Sequence, residues 1–211
     1  MHVLDGPNLE ARARQARYEV LPDDVLTGHT ADDQAETVLV NLLRGASTSG
    51  LAAMRPGHRH PILSLRRSET VELCVALRLP VVNDPSNLEP RHLRNRVRHE
   101  LLPLMAQLSQ RDLTPVLVRQ AGLARDDDQL LDTLAAAIDP TDARALAAAP
   151  VALGRRAVRQ WLVGTHPPDA ATVERVLQVA RGHAVATEVG GGRRVSRHQQ
   201  RLLLGPDEQV S

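Results

Sequence analysis

The sequence predicts an α/β N-terminal part, built on an incomplete parallel sheet, followed by a mostly helical C-terminal part that ends in a β-hairpin. Three observations carry this reading. Val25-Leu26-Thr27-Gly28 is a short apolar run closed by glycine, and it feeds Thr30–Arg44, where Ala31, Ala35, Val38, Leu39, Leu42 and Leu43 recur at helical spacing. From about Pro115 to Arg181, leucine and alanine repeat at helical periods. After that the period changes to two: Val185, Thr187 and Val189 alternate, Gly190-Gly191-Gly192 turns the chain, and Val195–Leu204 returns as a strand.

In chain order, Asn8–Val20 places Leu9, Ala13, Ala16 and Val20 on one face behind an Asn8 cap and predicts an opening helix. The strand and helix of residues 25–44 follow. Leu51–Pro61 is a loop carrying Arg55, His58, Arg59 and His60, Ser68 caps a short helix to about Leu77, and Asn83-Asp84-Pro85-Ser86-Asn87 is a turn. Leu93, Val97, Leu101, Leu104 and Leu108 form a further helix that Pro103 should break or kink. The remaining helical stretch has stops at Asp139-Pro140, Pro150 and His166-Pro167-Pro168, which predicts four packed helices. The domains divide at 1–105 and 106–211.

The 211 residues carry 26 basic and 25 acidic groups, and every basic residue apart from histidine is arginine. A net charge of +1 excludes a uniformly basic coat, so nucleic acid has to be met by local arginine clusters. No stretch approaches the roughly 18 apolar residues that span a bilayer, and the first residues lack the layout of a signal peptide. A cytoplasmic location is expected, with no membrane partner. The single Cys74 offers neither a disulfide nor a paired-cysteine metal site. The glycine-rich phosphate loop that follows the first strand of many nucleotide-binding sheets is not in the sequence, so the chain reads as cut short at its N-terminus, with one apolar face left open.

Gly28-His29-Thr30-Ala31-Asp32-Asp33-Gln34-Ala35-Glu36-Thr37 lies where α/β folds place ligands, at the carboxyl end of the expected strand. A capping box at Thr30-x-x-Asp33 accounts for part of it. The remaining crowd of His29, Asp32 and Glu36 suits a magnesium ion on polyphosphate oxygens. Arg44-Gly45 reads either as an ordinary helix terminus or as a phosphate contact. Arg91, Arg94 and Arg98 share one helix face beside Asn95 and Arg96, which is either a solvated face or a phosphate-binding one.

Taken together, five blocks resemble the tRNA(Ile)-lysidine synthetases of the N-type ATP pyrophosphatase (PP-loop) group. They are Asn8-Leu9-Glu10-Ala11-Arg12, Gly28–Thr37, Leu43-Arg44-Gly45 with Gly50-Leu51-Ala52, Pro61-Ile62-Leu63, and Asp84-Pro85-Ser86-Asn87 leading to Arg94–Pro103. Thr30 and Ala46 depart from the family's usual histidine and glycine, and the Ser-Gly-Gly-x-Asp-Ser loop is missing. The resemblance implies an ATP- and Mg2+-dependent ligase that joins free L-lysine to C2 of the wobble cytidine in the CAU anticodon of tRNA(Ile) through an adenylated intermediate. It implies catalytic roles for His29, Asp32, Asp33, Glu36 and Arg44, with Asp32, Asp33 and Glu36 also as metal ligands. It further implies nucleotide contacts from Gly28, Thr37 and Gly45, and tRNA contacts from Arg91, Arg94, Asn95, Arg96 and Arg98. Residues 106–211 become a tRNA-binding accessory domain, a homodimer stays open, and the chain by itself is expected to be inactive. The alternative is a non-catalytic tRNA-binding fragment.

Overall fold

The computed structural model describes residues 20–22, 24–82, 89, 92–164 and 167–206. The helix expected over 8–20, apart from its last residue, and the 84–87 turn lie outside the described residues, as does Arg91. The chain divides into two compact units, Met1–Arg125 and Asp126–Ser211.

In the first unit, helix α1 (Ala31–Leu43) begins where Asp33 accepts hydrogen bonds from the N–H and the hydroxyl of Thr30, each at 2.8 Å. These bonds satisfy groups that a helix start otherwise leaves open. Its apolar face buries Ala31, Ala35, Val38, Leu39 and Val40, and Leu39 and Val40 meet Val97 with Leu93, Leu101, Met105 and Leu117 around them. After a short helix α2 (Thr48–Leu51) comes α3 (Arg67–Ala76), which buries none of its residues. Ser68, the expected cap, is inside α3; Arg66 stands at the cap position and its N–H donates to Glu69 at 2.6 Å. Val71, Leu73, Val75, Leu77, Leu79, Val81 and Val82 are all exposed.

Two expectations for this unit need correction. Val25–Gly28 joins no sheet among the described residues, and the N-terminal parallel sheet is not confirmed. Its long-range backbone bond runs from Thr27 N–H to the Arg59 carbonyl at 2.9 Å. Apolar patterning gives a segment strand propensity, but a strand needs neighbours for its N–H and C=O groups. Pro103 does not break its helix either. Helix α4 (Leu93–Arg96) continues through a π turn at Val97–Leu101 into α5 (Leu102–Ser109). The N–H of Leu102 bonds the carbonyl of Val97, five residues back, and this widened turn just ahead of Pro103 makes room for the ring.

Helix α6 (Thr114–Ala136) runs through the division between the units. The second unit adds α7 (Ala143–Ala148), α8 (Val151–Trp161) and α9 (Ala170–Arg181), which with α6 make the four helices expected. Asp142 and Asp169 cap α7 and α9 through their side chains. The core joins Leu146, Val158, Leu162, Val173, Val176 and Leu177 to Val189, Val195 and Leu202 from a sheet. That sheet has three antiparallel strands in sequence order, β1 (Ala186–Gly190), β2 (Arg193–His198) and β3 (Arg201–Pro206), not the two of a hairpin. The extra turn falls at Gln199-Gln200, where both residues have positive φ (44° and 70°). Glutamine gives no turn signal. The turn is held from outside: the carbonyl of Gln200 accepts from Ala143 N–H, and Leu202 N–H donates to the carbonyl of Thr141.

Candidate functional site: a carboxylate–arginine cluster

The first turns of α1 carry Asp32, Asp33 and Glu36, and two other segments, Arg66-Arg67 and the Arg94–Arg98 stretch, bring arginines to them. Glu36 is only 1% exposed. It accepts from Arg94 Nε (2.8 Å), Arg98 Nε (2.7 Å) and Nη2 (3.0 Å), and Arg67 Nη2 (3.1 Å). Asp33 turns Oδ1 to the same three guanidinium groups, at 3.0 Å to Arg67, 3.1 Å to Arg94 and 3.4 Å to Arg98. Asp32 faces Arg66 through Nη2 (3.0 Å) and Nε (3.2 Å) and accepts the N–H of Arg67 at 2.7 Å. Arg66 also reaches Asp112.

Electrostatics follow from this geometry. Burial pushes Asp32 and Asp33 up, but hydrogen bonds and cations outweigh it and both end below the ordinary aspartate value. For Asp32 the bonds come from Arg66 and the Arg67 N–H; for Asp33 they come from Thr30, with Arg67 and Arg94 supplying charge. Arg98 is raised, chiefly by its bond to Glu36. Arg66, Arg67, Arg94 and Arg98 face Asp32, Asp33, Glu36 and Asp112, so the cluster is balanced in formal charge.

Several residues singled out from the sequence meet here: Asp32, Asp33, Glu36, Arg94 and Arg98. His29 stands beside the helix start, its Nδ1 2.8 Å from Thr27 Oγ1, with its ring edge-on to His60 at 5.2 Å. Among the described residues, a side-chain carbon at Gly28 would meet Ile62 alone, at 3.9 Å, an ordinary contact distance. Thr37 spends its hydroxyl on the carbonyl of Asp33. Other residues are not brought in. Arg44 is an exposed C-cap and Gly45 (φ 74°) the left-handed residue after it, eight residues past Glu36 and so about 12 Å along the axis. Asn95 is buried and bonds the carbonyl of Glu89, and Arg96 is exposed on Glu100.

Arg66 and Arg67 are the functional candidates that sequence reading missed. A usable signal existed, since two arginines at a helix start oppose the helix dipole and call for carboxylates from elsewhere. Among the described residues no three histidine, cysteine or acidic side chains are grouped to hold a metal. Asp32, Asp33 and Glu36 are turned to guanidinium groups, and in this arrangement they do not form a magnesium site.

Two motifs about sixty residues apart thus close on each other at the head of one helix. Residues 2–105 match the family model of the PP-loop domain, which defines the class. The chain is 42% identical over 176 residues to the tRNA(Ile)-lysidine synthase of Rhodococcus erythropolis, covering 76% of this chain and 54% of that protein. It is 41% identical over 208 residues to that of Nocardia farcinica (89% and 65%), and 36% identical over 221 residues to that of Mycobacterium tuberculosis H37Rv (92% and 68%). The chain belongs to the tRNA(Ile)-lysidine synthase family. It spans about half to two thirds of the length of these relatives.

Proposed function

We propose that this chain is part of a cytoplasmic ligase that joins L-lysine to C2 of the wobble cytidine of tRNA(Ile) bearing a CAU anticodon, at the expense of ATP. Residues 1–105 belong to the catalytic domain and 106–211 to a tRNA-binding accessory domain. The cytosine C2 carbonyl is a poor electrophile. Transfer of AMP to its oxygen releases pyrophosphate and makes that oxygen a leaving group; the neutral amine of lysine then adds at C2 and expels AMP. The base has to leave its stack to be reached.

One observation carries the reading: Arg94 and Arg98 of the last family block meet Asp33 and Glu36 of the Gly28–Thr37 block within 2.7–3.4 Å. The carboxylates hold the guanidinium groups in one place, and a guanidinium group is suited to a bidentate contact with an anionic group such as a phosphate. Asp32, Asp33 and Glu36 are also the acceptors available to the lysine amine, which has to compete with arginine for them. His29 and Gly28 border the same helix start. Thr37, Arg44 and Gly45 keep the nucleotide-side roles that the resemblance implies, as Arg91, Asn95 and Arg96 keep theirs toward tRNA. The magnesium ion implied by ATP use finds no ligand set among the described carboxylates, and no step is assigned to it.

The test is incorporation of radiolabelled lysine into CAU-anticodon tRNA(Ile) with ATP and Mg2+. It is run on the chain and on a form extended at its N-terminus by whatever the gene encodes upstream. Label in either form, lost in Glu36→Gln, supports the reading. Folded protein that incorporates none in both forms overturns it and moves a non-catalytic tRNA-binding role forward.

A further inference from the structure

The N–H groups of a guanidinium lie in one plane, so whatever holds one edge of it decides where the other edge points. Arg66 is held on two edges. Its Nη2 donates to Oδ1 of Asp32 at 3.0 Å and its Nε to Oδ2 at 3.2 Å, while Nη1 donates to Oδ2 of Asp112. The N–H of Arg67 adds a bond to Oδ2 of Asp32 at 2.7 Å. Both oxygens of the Asp32 carboxylate are thus engaged and its plane is set. A carboxylate offers about four acceptor positions, so these three donors leave room for one more.

Asp112 is itself fixed. Its other oxygen, Oδ1, accepts the N–H of Thr114, the first residue of α6, at 2.9 Å. It lies two residues beyond Gln110, whose left-handed backbone (φ 52°) ends α5, and next to the buried Leu113 and Thr114. The helical stretch that brings Arg94 and Arg98 to Glu36 and Asp33 at its start therefore returns Asp112 to Arg66 after its end. Asp112 reaches the site through Arg66: half of its side chain is exposed (52%), whereas Asp32 is shielded (18%).

We propose that Arg66 and Asp112 are positioning residues for Asp32: Asp112 fixes the guanidinium plane from outside the site, and the guanidinium fixes a carboxylate offered to the lysine amine. The inference rests on the ligase reading above for lysine as the ligand. An aspartate carboxylate turns in a broad torsional well, so one left to itself at a helix start has to be ordered when an ammonium group binds. A carboxylate already held in one plane avoids that cost and presents its remaining acceptor position in a fixed direction. The exposed pair Arg96–Glu100, four residues apart on one helix, orients nothing beyond itself. Arg66 differs because its three nitrogens are directed at carboxylates from two separate segments.

The experiment has two readouts: the side-chain carboxyl carbon signal of Asp32 in the isotope-labelled chain by nuclear magnetic resonance at neutral pH, and the KM for lysine against kcat in whichever form incorporates lysine. The variants are Asp112→Asn, Arg66→Ala, the two together, Arg66→Lys, and Glu72→Gln on exposed α3 as a control for the loss of one carboxylate charge. Asp112→Asn is expected to shift the Asp32 signal and to raise the KM for lysine about threefold, the scale of a half-exposed ion pair, with kcat little changed. Arg66→Ala should raise that KM about tenfold, the scale of one hydrogen bond to a charged group. Adding Asp112→Asn to Arg66→Ala should change neither readout further, because Asp112 acts through Arg66. Arg66→Lys keeps the charge without the fork and should resemble Arg66→Ala; Glu72→Gln should resemble the unaltered protein. Unfolding midpoints verify that the variants are folded. An Asp32 signal unmoved by Asp112→Asn, additive effects in the double variant, full recovery with lysine at position 66, or an unchanged KM for lysine in an active form overturns the positioning role. If the Asp32 signal moves as expected but no form makes lysidine, the positioning of Asp32 stands and the ligase reading fails.

Discussion

At Glu36 one carboxylate with almost no exposed surface holds three guanidinium groups, and two of them, Arg94 and Arg98, are themselves mostly shielded. Such a network gains little over an apolar core, but losing one member leaves the others desolvated without their counter-charge. Glu36→Gln keeps the shape and removes the charge; it is expected to destabilise the chain by about 3 kcal/mol, read as a lower urea midpoint at unchanged slope. A change under about 0.5 kcal/mol, the scale of an ordinary surface substitution, would mean that the cluster is solvated and mobile. Asp32 and Asp33 add a pH dependence with a definite sign. Both are depressed in the fold from 3.8, so their stabilisation is complete above that value and is lost as pH falls through it toward the folded values. The urea midpoint should be level from about pH 7 to 5 and fall below about pH 4, less steeply in Asp33→Asn. A midpoint that holds or rises on acidification would contradict the arginine pairing.

At the scale of elements, legibility tracked how local the cause was. Helix α1 could be read because its cap, its period and its glycine stop all lie within sixteen residues, Thr30 to Gly45. The acidic half of the site was legible for the same reason. Arg66 and Arg67 were not, because their partners stand more than thirty residues back along the chain. The turn between β2 and β3 was missed because Gln199 and Gln200 are held in the left-handed region by a neighbouring loop and not by their own chemistry. Glycines separate the two kinds of cause within single elements. Gly182 ends α9 at φ 81°, and an added methyl would sit 2.7 Å from Nη1 of Arg197. Gly182→Ala should therefore cost about 1–2 kcal/mol. Gly122 lies inside α6 with nothing within 4 Å of an added methyl, and Gly122→Ala should gain about 0.5–1 kcal/mol. Thermal midpoints check both, and a shift of the same sign in the two variants would show that these backbone roles are misassigned.

Across the whole molecule, apolar burial among the described residues is unevenly shared. Phenylalanine is absent from the sequence, so the second unit closes its core with Leu146, Leu162, Leu177, Leu202 and five fully buried valines among α7, α8, α9 and the sheet. In the first unit the apolar cluster around Leu39, Val40 and Val97 is smaller, α3 buries nothing, and a buried charge network occupies the head of α1. Cooperative units with fewer buried apolar groups open at lower free energy. The single tryptophan, Trp161, packs against the core of the second unit, so its fluorescence reports that unit, whereas far-ultraviolet circular dichroism sums the helices of both. Two probes coincide only when unfolding is a single transition. In a urea titration the helical signal should begin to fall before Trp161 responds, with a second loss that follows the tryptophan curve. Superimposed curves would mean that the units unfold as one body and that the charge network at Glu36 is as firmly held as the leucine and valine core.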